Sequence, residues 1–86
     1  MQLSGELTFP RVREALDAAR PQVAGQGPLE LDLSAVTRVD SAGLALLLEL
    51  ARDARAAGRE LRCSHAPEQL RRLAEFFGLT QVLALS

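Results

Sequence analysis

Eighty-six residues give one domain and leave no room for a second core. The formal net charge of −1 gives no electrostatic case for nucleic acid or an anionic membrane surface. All ten basic residues are Arg and one Cys stands alone, so an internal disulfide is excluded and a reducing compartment is compatible.

The first element is a short strand over residues 1–8, with Leu3, Gly5 and Leu7 expected on one side. A helix follows. Thr8 is its expected N-cap, Pro10 fits its first turn, and Val12, Ala15, Leu16, Ala19 and Val23 form its apolar face. Pro21 lacks the amide a helix interior needs, so the helix should end or kink near Arg20. Gly25-Gln26-Gly27-Pro28 is a turn.

The next segment carries most of the information. Leu29, Leu31 and Leu33 alternate with Glu30 and Asp32, the period of a half-buried strand. Residues 34–39 are expected to form a short polar loop. Asp40 and Ser41 are both good N-cap types, because a short side-chain oxygen can accept from free amides of a first helical turn. The helix runs over residues 41–57, with Leu44, Leu47, Leu48 and Ala51 inward and Gly58 ending it. On that register Ala42, Ala45, Leu46, Glu49 and Asp53 face outward, with Leu46 as the large apolar residue out of place. Arg52, Arg55 and Arg59 then form a solvated edge paired with Glu49 and Asp53.

A third strand is expected over residues 60–64, with Leu61 and Cys63 inward. Pro67 opens a last helix, with Leu70, Leu73, Ala74 and Phe77 on its face and Gly78 closing it, and Val82-Leu83 docks on the core. Strands alternating with helices imply parallel pairing by right-handed crossovers. Glu30 and Asp32 cannot both be buried, so helices should cover one face only, over a core that includes Leu31, Leu33, Leu44, Leu47, Leu48, Leu61 and Leu73.

Enzymatic chemistry has little to work with. Ser41 could be grouped with His65 and Asp40, but adjacent Asp40 and Ser41 are poorly arranged for a triad. One His and one Cys cannot form a dedicated zinc site. Asp40-Ser41-Ala42-Gly43 lacks the glycines and lysine of a phosphate loop. No catalytic residue, metal or cofactor is expected. Nor does any segment have the length of a membrane span or the form of a signal peptide.

Asp32-Leu33-Ser34 followed by Asp40-Ser41-Ala42-Gly43-Leu44 resembles the STAS domain family, the sulfate transporter and anti-sigma factor antagonist domains. Leu3-Ser4-Gly5-Glu6-Leu7 is similar to that family's second strand, and Leu70 to Val82 to its third helix and tail. The runs Val36–Ser41 and Gly43–Leu48 are most similar to the MlaB branch, the small cytoplasmic subunits of phospholipid-transporting ABC complexes in Gram-negative bacteria. The resemblance implies a single STAS domain over residues 1–86. Its sheet would be mixed but largely parallel, with helices on one face. The family has a further strand before Gly5-Glu6, so the first strand here is expected to be missing or shortened, or the start codon assigned too late.

The resemblance also implies a function. The chain would be a non-enzymatic subunit that binds and stabilises or regulates an MlaF-like ATPase and, through it, the permease. It would sit in the cytoplasm, peripheral to the inner membrane, in a system maintaining outer-membrane lipid asymmetry. The contact would comprise Asp40, Ser41, Ala42, Gly43, Ala45, Leu46 and Glu49. The alternative is an anti-sigma factor antagonist whose Ser41 is phosphorylated by an anti-sigma factor kinase. Ala42 replaces a frequent second Ser of the family, which counts against that switch.

Overall fold

In the computed structural model, which describes residues 1–85, three strands alternate with helices along the chain and a fourth helix follows the third. They are β1 (Gln2–Leu7), α1 (Val12–Ala19), β2 (Leu29–Val39), α2 (Ser41–Ala56), β3 (Leu61–Ser64), α3 (Glu68–Phe77) and α4 (Thr80–Leu83), with a 3-10 turn over Arg20–Val23 after α1. The sheet order is β1-β2-β3. Both pairings are parallel, and an isolated parallel bridge joins Cys63 to Leu85. The fold is thus α/β with the expected parallel sheet.

β2 is the central strand and is longer than its period-2 core. Its first residues pair with β3, Leu29 opposite Leu61 and Asp32 opposite Ser64. Its later residues pair with β1, ending with Val39 opposite Leu7. The segment expected as a polar loop is therefore strand. Two register shifts against β1 explain why it was hidden. Each gives β2 an extra residue, so burial goes from Leu33 to Val36 to Val39 in steps of three. Gly5 lies at one shift, at φ 76°, and is exposed rather than turned inward with Leu3 and Leu7.

One face of the sheet is apolar and covered by helices; on the other, Glu30, Ser34, Thr37 and Arg38 are exposed. The covered face and α2 make one core with Leu31, Leu33, Leu47, Leu50 and Ala54 fully enclosed. Leu44 and Leu61 belong to it, while Leu48 and Leu73 are half-buried against it. The buried arc of α2 is Gly43, Leu44, Leu46, Leu47, Leu50 and Ala54. It is rotated from the expected arc toward Leu46 and Leu50. The run Leu44 to Leu50 supplies leucines on several sides of the helix, so spacing alone did not fix which side faces the core.

Several other expectations are corrected. Thr8 does not cap α1: its hydroxyl donates to Glu6 Oε1 at 3.3 Å, and the N-cap position belongs to Arg11 without a side-chain bond. Phe77 is 53% exposed rather than in the core. α1 ends at Ala19, just before Pro21 as expected, and the chain tightens into the 3-10 turn. Gly78 ends α3 at φ 70°. Leu83 enters the core, but Val82 does not.

Candidate functional site at the start of α2

The site lies where β2 hands over to α2. Asp40 is extended, at φ −120°, and its carboxylate accepts from three amides. Oδ1 takes the N–H of Ala42 at 2.9 Å and of Gly43 at 3.2 Å, and Oδ2 takes the N–H of Phe9 at 3.0 Å. Its own N–H donates to the Leu7 carbonyl at 3.3 Å. One side chain therefore caps α2 and ties it to the turn between β1 and α1. The Phe9 amide is the largest cause holding the Asp40 carboxyl below the usual aspartate range, and the Gly43 and Ala42 amides add to it.

With Asp40 as the cap, Ser41 is the first helical residue, and its side chain is exposed. Its hydroxyl stands at the positive end of a 16-residue helix, where an acceptor or a negative group is electrostatically favoured. Gly43 is buried for a packing reason. A Cβ there would collide with the carbonyl oxygen of Leu7, so α2 can lie this close to β1 only with glycine.

Of the seven residues expected at the contact, Ser41 and Ala45 are exposed, and Asp40, Ala42 and Glu49 are half-exposed. Gly43 and Leu46 are buried, and Leu46 keeps only 2% of its surface. The outward placement of Leu46 is thus corrected. α1 runs beside α2 on that flank, and Val12 and Leu16 approach over it. Glu49 is engaged by Arg20 at 3.2 Å and Arg52 at 3.5 Å.

Two depressions flank Ser41. Toward α3, a hollow of about 720 Å³ is lined by Val39, Asp40, Ser41, Gln69, Arg72 and Leu73. Gln69 reaches back to accept the N–H of Val39 at 3.1 Å, which ties α3 to the end of β2. Toward α1 lies a smaller apolar groove with Phe9 at its edge. Sequence reasoning missed Phe9, Gln69 and Arg72. Only their spatial return to the Asp40 motif makes them part of the site. A large aromatic between Thr8 and Pro10, outside both flanking elements, was the one available signal.

Ser41, His65 and Asp40 are not assembled. His65 Nδ1 pairs with Asp32 Oδ1 at 3.3 Å. Asp32 lies in β2, eight residues before Asp40, which follows that strand's last residue, so the two are roughly 25 Å apart at the rise of an extended chain. Cys63 is enclosed, and burial pushes its thiol up to about 11. Among the described residues no cluster could hold a metal ion, and no helix is long and apolar enough to cross a membrane.

A one-sided parallel sheet whose central strand runs from Asp-Leu-Ser into an Asp-capped, glycine-bearing helix defines a STAS-type domain. The family model described as "Mlab, STAS domain" matches residues 1–85, and the chain belongs to that family. No curated protein is similar enough to the chain to be named beside it.

Proposed function

We propose that this chain is the STAS subunit of an Mla-type phospholipid ABC transporter. It docks on the transporter's ATPase through the start of α2 and stabilises or regulates it. It acts without catalysis of its own, in the cytoplasm and at the inner membrane only through the complex. The observation that carries the reading is the division of labour between Asp40 and Ser41. Asp40 performs the capping, so the exposed Ser41 hydroxyl is left for a partner, on backbone already fixed by three hydrogen bonds from amide N–H groups. A contact surface that is rigid before binding loses less entropy on docking. Membership of the MlaB-type family directs the choice of partner.

The test is co-expression with the ATPase of an Mla-type ABC transporter from the same host. The wild-type chain and Ser41→Thr are expected to co-purify with the ATPase. Ser41→Glu is expected to fail, because it brings a carboxylate into a contact that excludes water. Intact-mass analysis of chain isolated from its host should show no phosphate. Stoichiometric phosphate on Ser41, together with binding to a small kinase instead of the ATPase, assigns the chain to the anti-sigma factor antagonists.

A further inference from the structure

β2 runs on past the end of β3, whose pairing stops at Asp32 opposite Ser64. From Leu33 to Val39, among the described residues, no strand pairs with it on that side. At His65 the chain turns off the sheet at φ 57°, and α3 starts at Glu68. The last two amides before Ser41 are then held from opposite edges. The Asp40 N–H donates to the Leu7 carbonyl on the β1 side at 3.3 Å. The Val39 N–H points the other way and donates to Gln69 Oε1 at 3.1 Å. A side chain of α3 thus does at Val39 what the carbonyl of a neighbouring strand does in a longer sheet.

The two holds differ in kind. On the β1 side the strand pairing reaches Val39 opposite Leu7, and the Asp40 carboxylate adds its bond from the Phe9 N–H. A bond to an ionised acceptor is the stronger sort. On the α3 side Gln69 offers a neutral acceptor on a side chain that is otherwise exposed. Burial does not call for an amide at an exposed position in the first turn of a helix. What the position supplies is an acceptor with the reach to meet the Val39 N–H. Gln69 also lines the hollow that contains Ser41, so the end of β2, the Ser41 turn and α3 meet at this one side chain.

We infer that Gln69 is a positioning residue: by accepting the Val39 N–H it fixes the end of β2, and with it the pose in which Ser41 meets the ATPase. This rests on the docking proposed above and names a side chain outside the Asp40 motif that sets its geometry. Without the bond the turn occupies further poses, and the apparent affinity falls with the fraction of chains in the binding pose.

Two substitutions test it. Gln69→Met keeps the length of the side chain and removes the amide acceptor. Gln69→Glu keeps an acceptor, since its carboxylate is ionised at pH 7. Hydrogen exchange of the free chain reads the bond, and titration against the ATPase reads the docking. In Gln69→Met the Val39 amide should exchange faster than in wild type, while amides in the middle of α2 keep wild-type protection. Affinity should fall about two- to tenfold, the range that one neutral hydrogen bond spans. Gln69→Glu should restore both. Wild-type exchange at Val39 in Gln69→Met overturns the inference whatever the affinity, because any loss of binding then comes from direct contact with the ATPase. Faster exchange with wild-type affinity overturns it as well and leaves Gln69 as a tie between α3 and β2. So does Gln69→Glu that restores the exchange rate but not the affinity. In all three cases the wild-type chain still binds and the docking reading stands. A wild-type chain that does not bind removes the docking reading and this role with it.

Discussion

At its N-terminal end α2 is held by a single carboxylate, and the groups around that carboxylate are left facing outward: the Ser41 hydroxyl, Ala45 and the Phe9 ring. Past its C-terminal end the side chain of Arg59 turns inward on the fold. Its guanidinium donates to the carbonyls of Val23 at 2.7 Å, Gly27 at 2.9 Å and Pro28 at 3.3 Å. A fourth contact reaches the Gln22 carbonyl at 3.5 Å. Arg20, just after α1, adds bonds to Glu49 and Asp53 along the helix. One end uses its hydrogen-bonding capacity to hold the chain together. The other uses one carboxylate for the cap and for the tie to the Phe9 amide, and leaves its remaining groups available. That contrast supports the proposed docking surface more than exposure alone does, since exposed side chains occur on every element.

The largest effect separates two neighbours on α2. Leu46→Asp buries a carboxylate with no partner at a position only 2% exposed. The cost is several kcal/mol, comparable with the whole stability of a small domain. Circular dichroism should show an unfolded or very weakly folded chain. Ala45→Asp, one residue earlier on the exposed ridge, should melt within about 0.5 kcal/mol of wild type and still lose the ATPase. If Leu46→Asp folds normally, α1 does not cover α2 as described. If Ala45→Asp binds, the ridge is not the contact.

That pair also shows what the sequence carried and what it did not. The order of the three strands and the first three helices, the Asp40 cap, the stop at Pro21, the inward Leu61 and Cys63, and the one-sided sheet were all legible, because each depends on residues close in sequence; the short α4 was not. The true face of α2 was not. Leucines at 44, 46, 47, 48 and 50 permit more than one register, and only packing of α1 on one flank and α3 on the other decides among them. The second half of β2 was hidden because its register shifts replace alternation by steps of three. Arg59 looked like part of a charged helix edge. Its partners lie more than thirty residues away in sequence, in a turn whose position follows from the whole fold. Phe9 joined the site through a hydrogen bond from its backbone N–H to the Asp40 carboxylate, a contact between residues 31 apart.

Arg59→Ala is the intermediate case. It removes a charged donor shared among backbone carbonyls, so stability should fall by about 1–2 kcal/mol. In a domain of this size that corresponds to a loss of roughly 4–16 °C in melting temperature. Arg59→Lys should recover little, since an ammonium lacks the planar fork that spans these acceptors. Urea unfolding measures both. Co-purification with the ATPase should survive at temperatures where the variant remains folded. Loss of binding by a folded Arg59→Ala would erase the functional distinction between the two ends.

The smallest effect concerns the joint itself. The Asp40 carboxyl is held below its ordinary range by the amides of Phe9, Gly43 and Ala42. A group whose folded value is depressed contributes stability that is fully present above its unfolded value of about 3.9 and is lost as the pH falls through the lower folded value. Asp40→Asn keeps an oxygen for Ala42 and Gly43, and Asn is a good N-cap, so at pH 7 the loss should stay below about 1 kcal/mol. The amide nitrogen that replaces Oδ2 cannot accept from Phe9. Two consequences separate Asp40 from an ordinary cap. The decline in melting temperature between pH 4 and pH 2 should become shallower than in wild type, with a remainder from Asp32, whose carboxyl is likewise depressed, first by the Ser34 amide. The Phe9 amide should also exchange with solvent faster at pH 7, while amides in the middle of α2 keep wild-type protection. Identical acid limbs and an unchanged Phe9 exchange rate would show that Asp40 only caps α2 and does not couple Phe9 to Ser41.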